Sequence, residues 1–140
     1  MGAEKMYLAG EWTDSENGEV SDAINPATGE VLATVPKATM NDVNRCVDAS
    51  RAAFNSAEWK NIDPAQRGRI LNKMAAATYA AAKDLAKIES ENNGKTFREA
   101  LSEIRYGAWT MEYFAGFADK IEGTTTVSYT HLRAHETSRY

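Results

Sequence analysis

Apolar and polar positions change period once along the chain, near residue 37. Before it the pattern is short and alternating, with turn residues between the runs. Met6-Tyr7-Leu8 and Glu11-Trp12-Thr13 flank Ala9-Gly10, a two-residue hairpin loop in which glycine can take positive φ. Asp14-Ser15-Glu16-Asn17-Gly18 reads as a loop, and Val20 to Ile24 as a strand. Asn25-Pro26-Ala27-Thr28-Gly29-Glu30 makes a turn, Val31 to Val35 a further strand, and Pro36 closes the region. The prediction is a small antiparallel meander.

From Thr39 onward the period is helical. Thr39 and Asp42 have the spacing of a capping box, and Val43, Cys46, Val47, Ser50 and Phe54 share one face of a helix ending near Asn55. A second helix starts with Asp63 as N-cap, Pro64 at N1 and Gln66 at N3. Ile70, Leu71, Met74, Ala77, Thr78, Ala81, Leu85 and Ile88 keep its spacing until Asn93-Gly94 ends it. Read as one piece it has about 29 residues and is roughly 43 Å long. The third helix opens at Thr96 with Glu99 reaching back. It carries Leu101, Ile104, Ala108, Met111, Ala115, Ala118 and Ile121 on one stripe, and Tyr106, Trp109, Tyr113 and Phe117 on another. A helix apolar on two faces is normally buried between layers, and too little chain is present to cover it. Missing structure is the expectation.

Composition narrows the function classes. The 140 residues are 43% hydrophobic, with 16 Lys+Arg against 20 Asp+Glu and a formal charge of −4, which argues against a nucleic-acid partner. No apolar run reaches the roughly 18 residues of a membrane span, and no apolar h-region follows the first residues. Gly2 is not a myristoylation signal, since Met6 stands where Ser or Thr is required. A cytoplasmic, acidic globular segment is expected.

Few residues offer chemistry. Cys46 is the single cysteine; it falls on an apolar helical face with no histidine nearby in sequence, and is expected in the core as a small hydrophobe. His131 and His135 are spaced i, i+4 beside Glu136, but the order is not His-Glu-x-x-His and no third zinc ligand accompanies them. Asp63 and Glu99 read as caps, and Glu89, Glu91 and Glu103 as solvated helix faces. Trp109, Tyr113 and Phe117 read as core packing, and the alanine-rich run Ala75 to Ala82 as close helix packing.

Several motifs together resemble the aldehyde dehydrogenase family. They are Tyr7-Leu8-Ala9-Gly10-Glu11-Trp12, the run Ile24-Asn25-Pro26-Ala27-Thr28-Gly29-Glu30 to Pro36, Trp59 before Arg67-Gly68-Arg69-Ile70-Leu71, Asn92-Asn93-Gly94-Lys95, and Tyr113-Phe114-Ala115-Gly116. Order and spacing over residues 6 to 126 carry the likeness. The resemblance implies an α/β fold, of which residues 1–126 are the N-terminal part of the coenzyme-binding domain: strands over 1–36, then helices over 37–126.

It implies, for the parent, NAD- or NADP-dependent oxidation of an aldehyde to a carboxylate in a homo-oligomer. A cysteine thiolate would form a thiohemiacetal, hydride would pass to the nicotinamide, and a glutamate would activate water against the thioester. An asparagine in a Pro-Trp-Asn motif and a backbone N–H would hold the oxyanion. This chain contains neither Pro-Trp-Asn nor a Gly-rich phosphate loop after a strand. No catalytic or cofactor-binding residue is therefore assigned, and the chain alone is expected to be inert. Relatives hold a structural monovalent cation with a carbonyl near the position of Ile24 and an aspartate at the position of Asn92. Asparagine keeps an oxygen but loses the charge, so a weakened or absent site is expected.

Val127 to Thr137 resembles one reading frame of a transposase-type sequencing adapter, and residues 127–140 are read as a non-native, disordered tail. Two other readings stay open. One is a stand-alone helical interaction module without enzymatic activity, using the exposed stripe of the third helix. The other is a family member acting on a semialdehyde or another acyl compound.

Overall fold

The computed structural model describes residues 4–124. Strand β1 (Met6–Leu8) pairs antiparallel with β2 (Glu11–Thr13), with Tyr7 opposite Trp12. Both loop residues take positive φ, 54° at Ala9 and 93° at Gly10, the arrangement that matches the natural twist of a two-residue hairpin. β3 (Val20–Ile24) pairs antiparallel with β4 (Val31–Pro36), with a register irregularity between Ala23 and Ile24.

These are two separate two-stranded sheets rather than the single meander the alternation predicts. The intervening loop is the cause. It folds on itself, Ser15 Oγ donating to the Glu19 carbonyl at 3.0 Å and Gly18 N to the Ser15 carbonyl at 3.0 Å. Its Glu16 N–H is turned toward the first helix instead of along a strand.

Five helices follow: α1 (Met40–Asn55), α2 (Ala57–Lys60), α3 (Pro64–Ala80), α4 (Ala82–Asn93) and α5 (Phe97–Ala115). The N-termini of α1, α3 and α5 carry the caps that the sequence spells out, whereas α4 starts after Ala81 without a side-chain cap. Thr39 and Asp42 form a reciprocal capping box, Asp63 Oδ1 accepts from Ala65 N at 2.8 Å, and Thr96 Oγ1 accepts from Glu99 N at 3.3 Å. Gln66 does not close a box with Asp63: it is exposed, and only its backbone N–H bonds back, to the Asp63 carbonyl.

The long helix read over 64–93 is divided at Ala81, where ψ is 5°. Neither proline nor glycine marks the break. Three residues earlier, the Thr78 hydroxyl donates to the Met74 carbonyl at 2.9 Å, a back-bond that bends helices. α5 also ends sooner than its stripe, at Ala115, so Phe117, Ala118 and Ile121 lie in the turn and extended chain that follow.

α3 and α4 both pack on α5, through very small side chains. Ala75, Ala82, Ala86, Ala100, Ala108 and Ala115 are buried. Gly68 on α3 comes so close to α5 that a Cβ there would stand 2.7 Å from the Ala115 carbonyl oxygen. Tyr79 Oη donates to Glu112 across the same pair of helices at 3.3 Å. Gly94, with φ of 80°, ends α4 in the left-handed conformation that glycine takes without steric cost. It also lies against Pro26 of the β3–β4 turn, whose Cγ would be 2.9 Å from an added Cβ. Among the described residues the buried apolar side chains are therefore alanines apart from Leu8, and most large apolar side chains are exposed or half-buried.

Candidate functional site

The most extensive apolar feature is the outward face of α5 together with the adjoining side of α3. Tyr106, Trp109, Tyr113 and Phe117 recur at i, i+3, i+4 spacing and form a continuous ladder, with ring centroids 5.5, 5.7 and 5.0 Å apart. Phe114 meets Tyr113 edge to face. All five rings are exposed, Tyr106 at 66%. Where this face meets α3, Trp59, Ile70, Leu71, Met74 and Phe117 line an open groove of about 810 Å³.

Arg67 is the one charged residue in that lining. Its guanidinium lies 5.1 Å from the Trp59 ring centroid, and Nη2 donates to the Trp59 carbonyl at 3.2 Å. Its Nε is buried without a hydrogen-bond partner. The groove holds an orienting cation and aromatic walls but no nucleophile and no general base. Its chemistry is that of a packing surface.

The sequence expectation that Trp109, Tyr113 and Phe117 are core is corrected within the described residues, where all three are solvent-facing. The inner stripe, with Ala108 and Ala115 buried, takes up the contacts to α3 and α4, and no described residue lies over the outer one.

Cys46 is corrected likewise. It is exposed, on the side of α1 that also carries Val47, Ser50, Arg51 and Phe54. Helical spacing groups these residues correctly on one face. Among the described residues that face is not covered, α1 packing chiefly on the short α2. The neighbouring side chains supply no base to activate the thiol.

The carboxylates are dispersed rather than paired for acid–base work. Asp63 is an N-cap, as the spacing implies, while Glu99 stands behind the Thr96 cap and its carboxylate accepts from the Thr96 hydroxyl at 2.9 Å rather than from the cap's backbone N–H. Glu89 and Glu103, expected only on solvated faces, both hold Lys95: its ammonium donates to Glu89 at 3.0 Å and also to Glu103. These two carboxylates, Glu103 first, hold the Lys95 ammonium above the usual lysine range. The cluster ties the end of α4 to the start of α5, and Ser90 Oγ adds a bond to the Lys95 carbonyl at 2.7 Å. Glu91 stands 3.9 Å from Lys87 on the same helix.

Asp42 has a larger part than its place in the capping box indicates. It is 1% exposed, and its Oδ2 accepts from Thr39 N at 3.0 Å and from Glu16 N at 3.2 Å, 26 residues away in sequence. Arg45 reaches Oδ1 at 3.3 Å. The backbone N–H groups of Thr39 and then Glu16 hold this carboxyl below the usual range, against the opposing effect of burial.

Ile24 and Asn92, the cation candidates, fall in one neighbourhood. Asn92 lines a cleft with Ala23, the residue before Ile24, and with Glu4, Leu32, Ala33, Val35, Ile88 and Glu91. Asn92 itself is neutral, and the two carboxylates in the lining, Glu4 and Glu91, stand among largely aliphatic walls. Among the described residues there is no group of three or more His, Cys, Asp and Glu placed to hold a metal ion. His131, His135 and Glu136 lie outside the described residues, as does the whole 127–140 tail.

The geometry gives strands that lead into a helical layer, with that layer's large apolar face open. A sequence model of the aldehyde dehydrogenase family matches residues 12–139. The chain belongs to the aldehyde dehydrogenase family. The match takes in residues 127–139, the segment read above as adapter-derived.

Family members align over most of this chain. It is 42% identical over 120 residues to (Z)-2-((N-methylformamido)methylene)-5-hydroxybutyrolactone dehydrogenase of Acinetobacter baylyi, covering 86% of this chain and 24% of that protein. It is 39% identical over 126 residues to aldehyde dehydrogenase, cytosolic 1 of Mus musculus, covering 89% and 25%. In three dimensions it superposes on the NAD+ complex of the Bacillus cereus aldehyde dehydrogenase with a TM-score of 0.85 and 33% identity, covering 91% of this chain and 26% of that one. The chain thus spans about a quarter of the length of the family members it matches. No described helix is long and apolar enough to cross a membrane.

Proposed function

We propose that this chain is the N-terminal quarter of an NAD- or NADP-dependent aldehyde dehydrogenase that oxidises an aldehyde to a carboxylate, and that it is inert by itself. The observation that carries the reading is the uncovered α5 ladder and α3 groove on a chain a quarter as long as its relatives. Such a face contributes to stability only when more of the polypeptide is laid over it.

The described residues offer no feature of a dinucleotide cradle. The described strands are antiparallel hairpins, and none runs through a Gly-rich turn into a helix. The N-termini of α1, α3 and α5 are closed by their own caps, with a carboxylate at each: Asp42, Asp63 and Glu99. A pyrophosphate at a helix N-terminus requires free N–H groups and no competing anion. The nicotinamide cofactor and the catalytic cysteine therefore belong to the remainder of the parent, and no chemical step is assigned to these residues.

The parent is cytoplasmic in this reading, supported by the cytosolic mouse relative, and homo-oligomeric as the family resemblance implies. Ile24 and Asn92 hold a monovalent cation weakly at best. Residues 127–140 are translated adapter in this reading, which rests on the likeness of Val127 to Thr137 to an adapter frame and stands against a family match that runs to residue 139. The test is to express the complete reading frame and this chain side by side, and to follow NAD(P)H formation with a panel of aldehydes. The complete protein reduces the nicotinamide and the 140-residue chain does not. A complete frame that folds and reduces neither cofactor with any aldehyde overturns the assignment.

A further inference from the structure

We draw no further inference here: the strongest candidate, the apolar groove between α3 and α5 lined by Trp59, Arg67, Met74, Tyr113 and Phe117, carries nothing because no observation on the chain shows what covers it.

Discussion

Gly68 of α3 lies against the carbonyl oxygen of Ala115 at the end of α5, where a Cβ would come within 2.7 Å. Backbone rather than a flexible side chain is the obstacle, so the helices themselves would have to separate. This contact sets the spacing of the two helices that pack most extensively on each other.

Gly68→Ala sets two effects against each other. Replacing glycine in a helix interior by alanine gains about 1 kcal/mol from the backbone. Overpacking a close contact costs about 1–3 kcal/mol. The clash wins, and urea or thermal unfolding is expected to show a net loss of stability. Gly107→Ala on α5 is the control, since an added Cβ there meets nothing within 4 Å. It should gain up to about 1 kcal/mol. Equal gains from both substitutions would show that the α3–α5 approach is looser than described.

Acid stability should depend on Asp42. Its carboxyl titrates below the ordinary value in the folded chain, so the stabilisation is present above that value and is lost as pH falls through the folded pKa. Urea midpoints measured from pH 7 to pH 3 should therefore decline for the native chain. Asp42→Asn should be less stable at pH 7 and show a shallower decline, because the charged acceptor for Thr39 N and Glu16 N is gone. Parallel acid limbs for the two proteins would remove Asp42 from the account. Amide exchange at Glu16 supplies a local check, since Asp42→Asn should speed it.

Exposure of the large apolar side chains makes a prediction for the isolated chain. With Ile121 89% exposed and the aromatic ladder uncovered, residues 1–126 should bind a hydrophobic dye strongly and self-associate as concentration rises. A monomeric, dye-silent fragment would contradict the view that this face is covered in the complete protein. It would favour a self-sufficient helical module.

Local chemistry made much of this fold legible. The Thr39–Asp42 box, Asp63 before Pro64, Gly94 after Asn93 and Thr96 before Glu99 each involve residues within a turn of one another, and each cap lies where its residues place it. Contacts that span the chain left no such mark. Pairing β2 with β3 would have needed a loop that does not fold on itself, and the Glu16–Asp42 bond that anchors this loop joins positions without periodic relation. Lys95 meets Glu89 and Glu103 across a turn, six and eight residues away, outside helical spacing. The break at Ala81 carries neither of the residues that usually mark one.

Exposure was the larger difficulty at the candidate site. Periodicity tells which residues share a face: Cys46 with Val47 and Phe54, or Tyr113 with Phe117. It does not tell what lies against that face. In a chain a quarter the length of its relatives, that difference decides between core and surface. The family motifs were legible because they are local strings in fixed order. The Pro-Trp-Asn motif and Gly-rich loop that the resemblance implies do not occur in these 140 residues.

The central claim is that these residues open a longer aldehyde dehydrogenase, and a long read of the source DNA across codon 126 and the region downstream tests it most directly. The account predicts that the frame leaves the present tail and runs on into a Pro-Trp-Asn motif, a Gly-rich loop after a strand, and a catalytic cysteine. An intact genome that encodes Val127 to Tyr140 as given, followed by a stop codon and none of those motifs, would contradict it.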